Sequence, residues 1–415
     1  MRFTSLGLAP DLQKALDSCG YKDMTPIQQQ GITPARRGQD VLANAQTGTG
    51  KTAAFSLPIL QQMLDRPKNT VANSPRALIL TPTRELAEQL ANTIKGYAQF
   101  TPITVTAIFG GVKSSGQEKK LNAGVDILIA TPGRLLEHIV QCTVNLAKVE
   151  FVVLDEADRM LDMGFVADVT DLLQKTHKKC QTLLFSATMS QAVKELAHKL
   201  LNKHQIVSVA KQNATADTVS HVAYPVEERR KAELLISLIE KHSWFQVLVF
   251  TSTKAQADAL MKALKIDKIK AALCHSDKSQ GARRRALADF KSAKIQVLVA
   301  TEVAARGLDI QGLEQVVNFN LPYLAEDYVH RIGRTGRAGN KGQAISFISR
   351  EEERSLHNIE KLIGSTIKRI HLPEYEVGKR DALVEKVASN SRKQRSNKVS
   401  QTKIVRNKVT SKRKK

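Results

Sequence analysis

Lys51 and Thr52 close the stretch Ala45-Gln46-Thr47-Gly48-Thr49-Gly50-Lys51-Thr52, and an ammonium beside a hydroxyl at the end of a glycine-bearing loop is phosphate chemistry. Glycines let the backbone curl so that successive N–H groups, and the positive end of a following helix, point at an anion. Lys51 would reach the β- and γ-phosphates, and the Thr52 hydroxyl would ligate Mg²⁺. The flanks agree with a P-loop: Asp40-Val41-Leu42-Ala43 reads as a buried strand, and Ala53-Ala54-Phe55-Ser56-Leu57 opens a helical pattern. A glycine- and threonine-rich surface turn would not explain that order. Ala45 stands where the pattern calls for glycine, which costs little unless the position needs a positive φ. Pro58, two turns into the expected helix, predicts a kink.

A second group of chemistry-bearing residues is Asp155-Glu156-Ala157-Asp158, directly after the apolar run Phe151-Val152-Val153-Leu154. Asp155 would hold the metal and Glu156 would orient or deprotonate an attacking water. Asp158 either belongs to the same site or pairs with a basic group in the other half of the chain. A third group is His330-Arg331-Ile332-Gly333-Arg334-Thr335-Gly336-Arg337, where guanidinium forks could stabilise charge developing in phosphoryl transfer, or bind nucleic-acid phosphates as a basic turn. Near the start, Tyr21 and Gln28 suit an adenine: the ring can stack, and the amide offers a donor and an acceptor. The same segment also reads as a helix start with Thr25 as N-cap and Pro26 at N1.

The elements that must position these groups are apolar strands alternating with helices. Strand-like runs recur at Ala77–Leu80, Val105–Ile108, Asp126–Ile129, Phe151–Leu154 and Thr182–Phe185, then at Val247–Phe250, Ile295–Val299, Gln315–Val317 and Ala344–Ile348. Such a pattern predicts parallel sheets covered on both faces, with ligands beyond the carboxyl ends of the strands. Polar chemistry follows the strands as that rule requires: Thr81-Pro82-Thr83-Arg84, Gly110-Gly111, Thr131-Pro132-Gly133-Arg134 and Ser186-Ala187-Thr188. Apolar periodicity lapses between Ser208 and Ser220, so a boundary is placed near Asn213. The second half has no phosphate loop of its own, yet can contribute groups to the nucleotide held by the first.

With 415 residues, 42% of them hydrophobic, the chain can bury more than one core, and a formal net charge of +23 points to a polyanionic partner, nucleic acid first. No apolar run approaches the roughly 20 residues that span a bilayer, and no signal-like N-terminus is visible, so an intracellular protein without a membrane partner is expected. Cys19, Cys142, Cys180 and Cys274 are scattered without metal-ligand spacing, which suggests reduced thiols and no zinc. Beyond Glu385 there are twelve Lys and Arg and no acids. That tail cannot bury enough apolar area to order itself. It would serve as a sequence-indifferent nucleic-acid anchor or as a solvated charge run.

These motifs and their order resemble the DEAD-box RNA helicases, over about residues 1–370. The resemblance implies an α/β fold of two tandem RecA-like parallel-sheet domains, 1–212 and 221–370, joined by a linker at 213–220 and followed by a disordered basic tail, 371–415. It implies closure of the pair on ATP, Mg²⁺ and single-stranded RNA. On that basis Tyr21 and Gln28 recognise adenine, the loop from Ala45 to Thr52 holds the phosphates, and Asp309 of Arg306-Gly307-Leu308-Asp309 contacts the ribose. Arg334 and Arg337 are arginine fingers. Arg84, Gly111, Thr131 and Arg134, with Thr251, Gln280, Arg283 and Thr301 of the second half, touch the RNA backbone. Ser186 and Thr188 link hydrolysis to RNA binding through the acidic cluster, and His330 and Arg331 lie between the domains. Glu302 stands where the family commonly has Asp, and Met24 where proline is common. The overall resemblance favours the bacterial RhlE-like branch, which implies a cytoplasmic protein acting on ribosomal precursors or with RNA-degrading machinery. The rival readings are an ATP-gated RNA clamp that does not unwind and a DNA-directed motor.

Overall fold

The computed structural model describes residues 1–45, 48–208, 219–305, 308, 310, 312–336 and 342–375. The first half contributes β1 (Val41–Asn44), β2 (Ala77–Leu80), β3 (Val105–Ile108), β4 (Ile127–Ala130), β5 (Phe151–Leu154), β6 (Gln181–Ser186) and β7 (Gln205–Ser208). They lie in the order β3-β4-β2-β5-β6-β1-β7, all pairs parallel. Successive side chains of a strand leave on opposite faces, so Val41, Ile79 and Val153 enter one core while Leu42, Leu78 and Val152 enter the other. Both faces are covered, which is why these strands read as unbroken apolar runs.

The second half repeats the plan with β8 (Val219–Pro225), β9 (Val247–Thr251), β10 (Ala271–Cys274), β11 (Val297–Thr301), β12 (Gln315–Asn318), β13 (Gly342–Ile348) and β14 (Lys368–Arg369). Their order is β10-β11-β9-β12-β13-β8-β14, again all parallel. The sequence reading had passed over β7, β8, β10 and β14. Three of them lie at sheet edges: in β7 only Val207 is buried, and β14 is two exposed basic residues. β8 mixes Ser220 and His221 into its apolar positions.

The helix Lys51–Asp65 continues for seven residues past Pro58, so no break follows the expected kink site. Twelve of its fifteen residues are buried, and packing on this scale outweighs one missing backbone bond. Two expected boundaries move. Val219 and Ser220 belong to β8 instead of the linker, and residues 213–218 lie outside the described residues. The tail expected from 371 begins folded: Leu372 and Tyr375 pack on the second core, with the Arg230 guanidinium 4.5 Å over the Tyr375 ring. Residues 376–415 lie outside the description. No described helix is long and apolar enough to cross a membrane.

Phe55 on the P-loop helix meets Phe185 of β6 edge-on at 5.3 Å, locking the helix to the sheet. Phe185→Ala is expected to destabilise the first half by roughly 3–5 kcal/mol. An earlier urea transition would report this, and an unchanged one would show that the pair does not hold the helix.

Candidate nucleotide and RNA site

β1 delivers Ala45, whose N–H bonds the Ser186 carbonyl at the end of β6 (2.9 Å). Ala45 is buried and takes no positive φ, so the alanine is unstrained there. Gly48 and Gly50 do need left-handed backbone, at φ +83° and +91°, and a Cβ on Gly50 would collide with the Gln28 amide. Gln46 and Thr47 lie outside the described residues. Thr49 and Gly50 lead into the helix on which Lys51 and Thr52 are the first two residues.

Lys51 is buried, and its Nζ lies 3.5 Å from Asp155 Oδ1, reaching across β6 from the helix after β1 to the end of β5. That ammonium makes no hydrogen bond of normal geometry among the described residues. Burial alone would lower its pKa, but the charges of Asp155, Glu156 and Asp158 outweigh this and hold it above the ordinary lysine value. Glu156 is pushed the other way from an ordinary carboxylate: burial first, then the charges of Asp155 and Asp158, raise its pKa against the pull of Lys51 and Arg334. Its backbone is left-handed (φ +57°), turning the chain from β5 into the helix Ala157–Asp162. A partly unpaired buried ammonium beside positive-φ glycines is the environment a phosphate chain requires.

Asp158 takes the nearer of the two partners left open by the sequence. Its Oδ2 accepts from Thr188 N (3.0 Å) and Thr188 Oγ1 (3.1 Å), and Ser186 Oγ donates to the Thr188 carbonyl (2.7 Å). The link to the other half comes from the next residue, which sequence reasoning missed. Arg159 is buried against Asp327, with Asp162 3.0 Å away and Glu302 adding to the field that raises its pKa despite burial. Nothing local in the sequence relates positions 159 and 327.

Gln28 takes the capping role suggested for its segment and also reaches the P-loop. Its Oε1 accepts from Thr25 N (2.8 Å), capping the helix Pro26–Arg36, and its Nε2 donates to the Gly50 carbonyl (3.1 Å), joining that cap to the P-loop. Tyr21 is packed edge-on against Phe3 and Tyr97, and its hydroxyl is 2.7 Å from that of Tyr97.

From the second half, buried Arg334 donates to the Leu308 carbonyl (2.7 Å) and is close enough to act on Glu156. Arg337 and Asp309 lie outside the described residues. Arg331 was expected between the domains, but its bonds all stay within the second half: to Glu302, to Asn318 Oδ1 (3.1 Å) and to the Asn320 carbonyl (2.7 Å), with its cation 5.0 Å above Phe250. A guanidinium 2% exposed is stable only with such saturation. Glu302, one methylene longer than the family's usual Asp, is the carboxylate that meets it. His330 sits half-buried on the same helix, Ala325–Ile332.

The remaining sequence candidates gather at the carboxyl ends of neighbouring strands. Arg84, Gly111, and Thr131 with Arg134 follow β2, β3 and β4. The Arg84 guanidinium lies against Gly111 (φ +77°), where a Cβ would strike it, and Arg134 donates to the Val112 carbonyl (3.2 Å). Thr251 and Thr301 end the paired strands β9 and β11 in register. Gln280 and Arg283 instead meet the first half: Gln280 Nε2 lies 3.1 Å and Arg283 Nη2 2.9 Å from Glu85 Oε1, and Arg284 pairs with Glu88 at 2.6 Å.

Arg159→Ala would remove the Arg159 guanidinium from the buried Asp327 carboxylate, a loss of about 3–5 kcal/mol for a broken buried pair. The expected result is a larger radius of gyration by solution scattering and a lower thermal midpoint. Unchanged compactness would show that the other cross-contacts suffice.

Residues 25–196 match the DEAD/DEAH box helicase family and residues 230–339 the helicase conserved C-terminal domain. The chain is 39% identical over 390 residues to the DEAD-box ATP-dependent RNA helicase CshA of Bacillus anthracis, covering 93% of this chain and 73% of that protein. It is 44% identical over 371 residues to the ATP-dependent RNA helicase RhlB of Pseudomonas aeruginosa, covering 88% and 94%. Among solved structures it resembles S. cerevisiae Dbp5 bound to RNA and ADP BeF3, with a TM-score of 0.79 and 32% identity over 89% of this chain and 95% of that one. The paired sheets are therefore tandem RecA-like domains, and the chain belongs to the DEAD-box family of ATP-dependent RNA helicases.

Proposed function

We propose that this helicase locally separates or remodels RNA duplexes and RNA–protein complexes by closing its two domains, about residues 1–212 and 219–375, on ATP and a single RNA strand. The observation that carries the reading is the buried group Lys51, Asp155 and Glu156 under the influence of Arg334 from the other domain. In this reading Lys51 and the backbone from Ala45 to Thr52 hold the phosphates, while Tyr21, Gln28 and Asp309 select the nucleoside. Thr52 and Asp155 would hold Mg²⁺, which when bound offsets phosphate charge. The donor set fits, because two hard oxygen ligands flank an ammonium already placed for phosphate.

Glu156, with its raised proton affinity, positions the attacking water and accepts its proton. Lys51, Arg334 and Arg337 stabilise the charge on the transferred phosphoryl. Asp158, Thr188 and Ser186 carry the change at the nucleotide toward the RNA loops, with His330 and Arg331 bracing the second domain. RNA backbone is held by Arg84, Gly111, Thr131 and Arg134 with Thr251, Gln280, Arg283 and Thr301, in a shape a duplex partner cannot follow. Hydrolysis reopens the pair and releases the strand. The proposed setting is the cytoplasm, on ribosomal precursors or RNA in turnover.

Single-stranded RNA, and not matching DNA, is expected to stimulate ATP hydrolysis, because contacts with 2′-hydroxyls distinguish the two. Equal stimulation by DNA would favour a DNA-directed motor, and stimulation without strand separation in a duplex-displacement assay would favour the clamp. Glu156→Gln is expected to lower kcat by at least about 10²-fold while an ATP- and RNA-bound closed complex accumulates. Wild-type turnover in that variant would remove Glu156 from the water's path. Gly111→Ala adds left-handed strain of roughly 1–2 kcal/mol and displaces Arg84. RNA affinity is expected to fall about tenfold with ATP affinity intact, and a parallel loss of both would place Gly111 outside the RNA site.

A further inference from the structure

The edge of the first sheet opposite the P-loop holds a cavity of about 700 Å³. Its walls come from segments that lead into strands: Gly38 before β1, Arg76 before β2, Glu150 before β5 and Gln181 opening β6. Five basic side chains line it, Arg66, Lys68, Arg76, Lys148 and Lys179, against a single carboxylate, Glu150. Glu150 is shared between Arg76 (2.7 Å) and Lys68 (3.1 Å).

Part of this charge has a local purpose. Arg76 donates to the Arg66 carbonyl just past the P-loop helix (3.0 Å), which offsets the negative end of that helix. Lys148 and Lys179 have no such duty. Both are exposed, both sit in loops, and neither side chain makes an ion pair or hydrogen bond among the described residues. The cavity floor is rigid. Gln62 Nε2 donates to Gln181 Oε1 (3.1 Å) and to the Ala35 carbonyl (3.1 Å), and Gln181 Nε2 donates to the Ala35 (2.7 Å) and Gln39 (2.6 Å) carbonyls. Gln62 Oε1 accepts from Arg66 (2.8 Å). These two amides are spent on the protein; Asn69, Ser74 and His177 complete the polar lining, and the five cations make phosphate the group the cavity favours.

We propose that this cavity is a second RNA-phosphate site, which holds single-stranded RNA on the first domain whether or not ATP is bound. The proposal rests on the assignment of RNA as the partner. Its volume lies within the roughly 300–1,000 Å³ of ligand pockets, and its position on the far edge of the sheet makes it independent of domain closure. An acidic peptide fits less well. Peptide partners are anchored by buried apolar side chains, and of the two large hydrophobics here Phe151 is buried, leaving only Val71 exposed.

The test is fluorescence anisotropy of labelled single-stranded RNA with the full-length chain, without nucleotide and across a salt series. Lys148→Glu/Lys179→Glu is compared with the equal charge change Lys262→Glu/Lys265→Glu on an exposed face of the second domain. Loss of two phosphate contacts is expected to weaken binding roughly tenfold at low salt and to reduce the log–log salt slope by about 1.4 relative to that comparison variant. RNA-saturated ATP turnover stays at the wild-type level, and it reports on the helicase activity separately from the cavity. Equal affinities and slopes in the two double variants would overturn the proposal. So would competition by polyglutamate as strong as by unlabelled RNA, which would give the cavity to a protein partner.

Discussion

Three carboxylates buried around one ammonium set the terms for this molecule. Asp155, Glu156 and Asp158 are each less than a tenth exposed, and Lys51 is the cation of the same domain that faces them. Such a group is too negative to be stable alone or to accept a triphosphate. The field raises the proton affinity of Glu156 and is relieved by Thr188 hydrogen bonds at Asp158 and by Arg334 from the second domain. The imbalance thus ties the first domain's acidic cluster to a cation of the second.

The seam between domains follows the same logic one residue further on. Arg159 leaves the acidic cluster to meet Asp327, while Arg331, four residues beyond Asp327, is consumed by Glu302, Asn318 and Asn320. Arg331 therefore fixes the shape of the second domain's edge, and Arg159 makes the crossing. The helix Arg84–Ala98 provides another crossing. Its first residue lies on Gly111 and its second holds Gln280 and Arg283, so Arg84 adjoins a contact between the domains.

A parallel sheet has two unlike edges. At the carboxyl edge, helix N-termini and loop amides converge, and chemistry collects there. At the other edge helices end, and there Arg76 meets the carbonyl past the P-loop helix while Lys148 and Lys179 add charge with no such partner among the described residues, which leaves a basic hollow. The net charge of +23 is thus distributed over more than the tail.

The apolar runs of the central strands, the P-loop and the acidic motif were legible in the sequence because each is a local pattern. A strand buried on both faces must be continuously apolar, and a phosphate loop needs its glycines, lysine and hydroxyl within a few residues. The edge strands β7, β10 and β14 were illegible for the complementary reason, since an edge buries little and demands little of its residues. The partners of Asp158, Arg159 and Arg331, the second role of Gln280 and Arg283, and the folding of Leu372 and Tyr375 onto a core were decided only by tertiary structure. Each depends on groups brought close by sheet order or by the docking of one domain on the other, up to about 200 positions apart in the case of Gln280 and Glu85. Charge type alone marks a residue as needing a partner, and only the fold determines which one it meets.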